Sequence, residues 1–230
     1  MKKIGLIAGM SWESSAVYYR HINRLANQKM GGLHSAEILM HSVDYEPFLQ
    51  LSSENKWDTI GERTSAIAEN LAAAGADCIL ICCNTVHLIA HMVEQKLSIP
   101  FLHIADPCGE AIKKNGLKKI GLIGTHHTME RDFFKRRLKE KYGIETVIPE
   151  DKDRKYLNNA IKSEFCKGHF YPETKREVIA IIKRLEAMGA EGVILGCTEI
   201  PILIQAEDCS IPTFDTTFLH SKAALEFALS

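Results

Sequence analysis

The chain alternates short apolar runs with longer stretches of helical periodicity. "KIGLIAG", "DCILICC" and "IPFLHI" in the first half, and "KIGLIGT", "GVILGCT" and "IPTFDT" in the second, have strand length and are bounded by Gly, Asp or Pro. Such continuous apolar runs predict parallel strands buried on both faces. Between them, "WDTIGERTSAIAENLAAAG", "MERDFFKRRLKEKYG" and "ETKREVIAIIKRLEAMG" carry the helical period. The first of these is expected to end on Gly75 as its C-terminal cap. Strands alternating with helices imply a parallel sheet in each half.

The halves also share sequence. "KKIGLI" occurs at residues 2–7 and again at 118–123, an offset of 116. "LAAAGADCILICCNT" at 71–85 lines up with "LEAMGAEGVILGCTE" at 185–199, an offset of 114, and "SIP" recurs at 98–100 and 210–212, an offset of 112. Offsets that agree across three blocks and are far longer than a solenoid period predict two homologous units. The expected fold is therefore α/β: two similar parallel-sheet domains related by pseudo-two-fold symmetry, with the active site in the cleft between them. Residues 1–100 would form the first domain and 101–214 the second. The closing helix in "TTFLHSKAALEFALS" would pack back on the first domain, which would then also take in residues 215–230.

Composition removes several function classes. A chain of 230 residues can bury a sizeable core. A net charge of -1, with no long run of one sign, argues against binding to nucleic acid or an anionic membrane. No apolar stretch approaches the ~20 residues that span a bilayer. The opening "MKKIGLIAGMSWESS" has two lysines and an apolar patch, but the patch is too short for a signal peptide and runs at once into Trp12 and Glu13. The expected location is the cytoplasm.

Seven cysteines lack the spacing of a disulfide framework, a CxxC pair or a zinc site, so no metal is expected. Two stand apart. Cys83 and Cys197 are 114 residues apart, each ends a predicted strand, and each precedes hydroxyl or amide residues: Asn84 and Thr85 in one case, Thr198 in the other. Open α/β sheets place ligands beyond the carboxyl ends of their strands. A helix starting at Asn84 or Thr85, and another at Thr198, would aim free N–H groups and the positive dipole end at each thiol. That setting favours thiolate and offers carboxylate sites. A thiolate and a thiol on opposite sides of one carbon could remove and return its proton. Cys82 should face the other side of its strand. Cys78, Cys108, Cys166 and Cys209 are assigned to packing.

Other groups have two readings each. His87 either orients a thiol or caps a helix. Glu199 either positions the Cys197 thiol or a substrate ammonium group, or is a first-turn helix acid. His126 and His127 are read as a loop feature, "AGMS" as neither a GxGxxG nor a P-loop, and "KRRLKEKYG" as a charged helix face.

"GLIAGMSWESSAVYY", "CNTVH" and "GCTEI" resemble the aspartate/glutamate racemase family, and the resemblance runs over essentially the whole chain. It implies racemisation of an acidic amino acid by two bases, Cys83 and Cys197, with no cofactor and no metal. Met10, Asn84, Thr85, Thr125 and Thr198 match positions that hold substrate in the family, and Glu199 stands with them. Lys167, in "CKGHF", matches a lysine associated with the distal carboxylate in aspartate-acting members. The arginine that usually accompanies it is missing from "HSVDYEPFLQLSSENKW", where Gln50 or Ser52 could take its place. Aspartate, glutamate and a broader range therefore all stay open as substrates. The resemblance also implies a homodimer. A maleate-isomerase-like enzyme using one cysteine as nucleophile, and a non-catalytic carboxylate-binding protein, are the alternatives.

Overall fold

The structure is a computed structural model that describes residues 1–230. Contacts divide it into two units, Met1–Ile104 with Thr217–Ser230, and Ala105–Thr216. In chain order the first unit contains β1 (Ile4–Ala8), α1 (Trp12–Met30), β2 (Ile38–Ser42), α2 (Tyr45–Ser53), α3 (Trp57–Ala73), β3 (Cys78–Ile81) and α4 (Ala90–Lys96). The second contains α5 (Ala105–Lys114), β4 (Lys119–Gly124), α6 (His126–Glu130), α7 (Asp132–Tyr142), β5 (Glu145–Val147), α8 (Asp151–Ser163), α9 (Pro172–Ala187), β6 (Val193–Gly196), α10 (Ile200–Leu203) and β7 (Thr213–Asp215). The chain then returns to the first unit through α11 (Thr216–Leu229).

Each unit carries one parallel sheet. The orders are β2-β1-β3 and β5-β4-β6-β7, so the opening strand of each half sits between the next two. In the first sheet, Ile4, Leu6, Ala8, Leu80 and Cys82 pack with Tyr18 and Ile22 of α1 and with Ala224 and Ala228 of α11. Ile7, Ile79, Ile81 and Cys83 pack on the other side with Ile60, Ala68 and Leu71 of α3. This two-sided burial follows the strand period of 2 and explains why the strands read as unbroken apolar runs. In the second sheet, Ile123, Val193 and Leu195 pack against Leu157 and Ile161 of α8 and Val178, Ile182 and Leu185 of α9. Full burial of each such side chain contributes about 1.5–3 kcal/mol. No helix is long and apolar enough to cross a membrane.

Several local expectations change. "IPFLHI" is not a strand; it makes a single bridge, Phe101 to Ile79, where the second half builds β7 on β6. The two sites are otherwise alike, since the Ile79 amide donates to the Pro100 carbonyl (2.9 Å) as the Val193 amide does to Pro212 (2.8 Å). The helix expected from Met129 is broken at Arg131, which is extended (ψ 152) between α6 and α7. Thr125 starts α6 as a separate helix, its side chain accepting from the Thr128 amide, so His126 and His127 lie in the first turn of a helix and not in a loop. The region after β2 folds into α2, capped by Asp44, whose carboxylate accepts the Glu46 amide. Gly75, with φ +94, does follow the last turn of α3, one residue beyond the cap at Ala74.

Candidate active site

In the first unit the site forms where β1 and β3 end. After β1, Gly9 adopts φ +95, and its amide donates to Ser15 Oγ (2.8 Å), whose hydroxyl donates to the Ser11 carbonyl (2.6 Å). This short closed turn holds Met10, which is buried in the same apolar cluster as Cys83. Cys83 itself is 6% exposed and Asn84 3%, while Thr85 is partly exposed. Cys82 points into the opposite core, as its strand parity requires.

The helix expected after Cys83 is a 3₁₀ turn, Thr85–Ile89, and α4 begins only at Ala90. The reason is local. In an α-helix the Cys83 carbonyl would accept the His87 amide. Here that amide donates to Asn84 (3.1 Å), and the Cys83 carbonyl accepts His87 Nδ1 instead (2.8 Å).

In the second unit β4 and β6 end side by side. Gly124 and Gly196 pair in register, and an added Cβ on Gly124 would lie 2.6 Å from the Gly196 carbonyl oxygen, so the strands meet closely here. Thr125 leaves β4 and bonds Thr128 through its hydroxyl (3.0 Å). Cys197 leaves β6, 5% exposed, and its thiol donates to Glu199 Oε2 (2.9 Å). The Thr198 hydroxyl donates to the same oxygen (3.0 Å), and Glu199 is 2% exposed. Glu199 is the residue before α10, which is only four residues long and starts at Ile200. Pro201 has no N–H for the Cys197 carbonyl, which accepts from Ile200 at 3.1 Å.

The expectation that a helix dipole would favour thiolate at Cys197 is therefore overturned. Burial, and then the negative charge of Glu199, push the Cys197 thiol well above its ordinary value. At rest this group is a protonated thiol already bonded to a carboxylate. Glu199→Gln keeps the burial but removes the charge. The pH profile for alkylation of Cys197, followed at the peptide level, is expected to move to lower pH. An unmoved profile would mean that Glu199 does not govern this thiol.

The remaining expected residues are less closely tied to either thiol. Ser52 is partly exposed on α2, and Gln50 beside it is exposed. Lys167 ends the 3₁₀ turn Phe165–Lys167 and is exposed, whereas its neighbour Cys166 packs against the cluster that contains Cys197. Cys166 also lies near enough to oppose ionisation of the Cys197 thiol, a proximity that no spacing in the sequence marks. His127, half-buried beside His126, Arg131 and Lys162, is pushed down to about 4 by burial and then by these cations. No group of three or more His, Cys, Asp or Glu is arranged to hold a metal ion.

The sequence profile of the Asp/Glu/Hydantoin racemase family matches residues 7–224. The chain belongs to this family. A candidate Asp/Glu racemase from Yersinia pestis is 46% identical and covers 100% of both chains with a TM-score of 0.93. An aspartate racemase homologue from Pyrococcus horikoshii is 34% identical, again over 100% of both chains, with a TM-score of 0.87. The glutamate racemase of Exiguobacterium sibiricum is 29% identical over 76% of this chain and 66% of its own length, so the match spans about two thirds of that relative. The broad specificity amino-acid racemase RacX of Bacillus subtilis is 24% identical over 99% of this chain and 98% of its own. Membership of this racemase family supports an isomerase acting on an amino acid.

Proposed function

We propose that the protein racemises an acidic amino acid by proton transfer at one carbon, with Cys83 and Cys197 as the two acid–base groups. The observation that carries this reading is the equivalence of the two strand-end cysteines, each buried and each followed by polar residues. In one direction Cys83, as thiolate, takes the α-proton while the Cys197 thiol supplies a proton to the opposite face. The roles exchange in the other direction. Glu199 accepts the Cys197 proton when that thiol must ionise, and Thr198 holds the carboxylate in place through its bond to Oε2. Asn84, Thr85, Thr125 and the backbone beside Met10 are assigned to the substrate's α-carboxylate and ammonium group, where fixed donors lower the cost of the carbanion. Lys167 is assigned to the distal carboxylate, with Ser52 as a neutral partner for it. A neutral partner in place of arginine binds a second carboxylate less selectively. The reading therefore takes in both aspartate and glutamate.

The test is chiral chromatography of each L-amino acid after incubation with the purified protein and no added cofactor. Accumulation of D-aspartate or D-glutamate supports the reading. A trapped covalent thioether, or binding without turnover, would replace it with an isomerase or a binding protein. The protein is proposed to act as a cytoplasmic homodimer.

A further inference from the structure

We propose that His87 is a positioning residue for the Cys83 thiol, acting as a neutral clamp between the Cys83 carbonyl and the backbone of Ile104. This rests on the reading of Cys83 as an acid–base group.

The hydrogen bonds fix the state of the ring. The Ile104 amide donates to Nε2 at 3.2 Å, so Nε2 carries a lone pair. The proton of the neutral imidazole is then on Nδ1, which donates to the Cys83 carbonyl at 2.8 Å. His87 is therefore neither a base for the thiol nor a helix cap. Its side chain takes the acceptor that an α-helix would have satisfied with its own backbone, and so keeps the turn after Cys83 in its 3₁₀ form. Holding that carbonyl fixes the last backbone torsion of Cys83 and with it the direction of the Cα–Cβ bond that carries the thiol.

The far end of the clamp is also held. The His87 ring is 2% exposed and meets the His103 ring edge-on, with centroids 4.6 Å apart. Leu102, two residues before Ile104, accepts His220 Nε2–H (2.7 Å), and the Tyr18 hydroxyl donates to His220 Nδ1 (2.9 Å). The His220 donor is forced, because a carbonyl can only accept, and the neutral ring then offers Nδ1 as the acceptor for Tyr18. Two buried histidines thus grip residues 102–104 from α11 and from the Cys83 turn. Ile104 is the last residue of the first unit before the chain enters the second. A reacting group displaced by about 1 Å loses up to about 100-fold in rate.

Two substitutions separate the ends of the clamp. His87→Asn places an amide N–H where Nδ1 was and keeps the bond to Cys83, but it cannot reach Ile104. His87→Gln places an acceptor where Nε2 was and keeps the bond to Ile104, but it loses the donor to Cys83. The readouts are kcat and KM in both directions, thermal unfolding, and the rate at which iodoacetamide labels Cys83, measured on its peptide. His87→Asn keeps the bond to Cys83 but loses the anchor at Ile104, so its kcat and labelling rate are expected to fall between those of wild type and His87→Gln. His87→Gln should lose about tenfold or more in kcat at unchanged KM, with an altered Cys83 labelling rate. Equal losses in the two variants that track their unfolding midpoints, with Cys83 labelling unchanged, would overturn the proposal. If the wild-type protein exchanges no α-proton at all, the racemase reading fails, while the labelling comparison still decides the clamp.

Discussion

Replacing either Cys83 or Cys197 with alanine is expected to lower racemisation by about 10³-fold or more, because a positioned acid–base group is worth about 10²–10⁴. Both side chains are buried, but alanine removes only one sulfur from each, so unfolding does not account for a loss of this size. The two variants should also fail differently. With Cys83 gone, the remaining thiol addresses only one face of the substrate, and only one enantiomer should exchange its α-proton with solvent. With Cys197 gone, the other enantiomer should exchange. Chiral chromatography gives the racemisation rate, and proton NMR in D2O gives the exchange. Normal racemisation by both variants would remove the two-thiol mechanism.

The second large effect is structural. Gly9→Ala is expected to destabilise the first unit by about 3 kcal/mol, the sum of a left-handed backbone and a forced contact. Gly9 has φ +95, and a Cβ there would lie within 3.0 Å of both the Val43 nitrogen and its carbonyl oxygen, which are backbone atoms with no rotamer to yield. The unfolding midpoint should fall by about 6–12 °C for a protein of this size. Because the same turn carries Met10, substrate affinity should fall with it. Gly31→Ala is the control: its φ is +73, but nothing lies within 4 Å of its added Cβ. An equal effect at both positions would assign the loss to the dihedral angle alone.

The repeat and the strands were legible because their causes are local. Runs such as "CILI" and "VILG" are buried on both faces, and the two cysteines follow them at equivalent positions. The parity of adjacent strand residues correctly separates Cys82 from Cys83. The surroundings of the thiols were not legible, because they depend on where single hydrogen bonds go. "CNTVH" reads as the start of a helix, yet the His87 side chain displaces its own amide at the Cys83 carbonyl. "GCTEI" reads as a helix terminus that would favour a thiolate, yet Pro201 has no N–H for the Cys197 carbonyl, the helix that starts at Ile200 is only four residues long, and Glu199 accepts a hydrogen bond from the thiol. The proximity of Cys166 to Cys197 comes from the packing of α8 and its following turn, which carry no apolar run to mark them.

The central claim is that two thiols act on opposite faces of one α-carbon. The most direct test is the early time course of wild-type protein with L-aspartate and with L-glutamate in D2O, without cofactor, following deuterium at Cα in each enantiomer. Two bases predict that the D-enantiomer forms already carrying deuterium while the remaining L-substrate keeps its proton. Label entering the recovered L-substrate as fast as the D-product would show a single base serving both faces and would contradict the account.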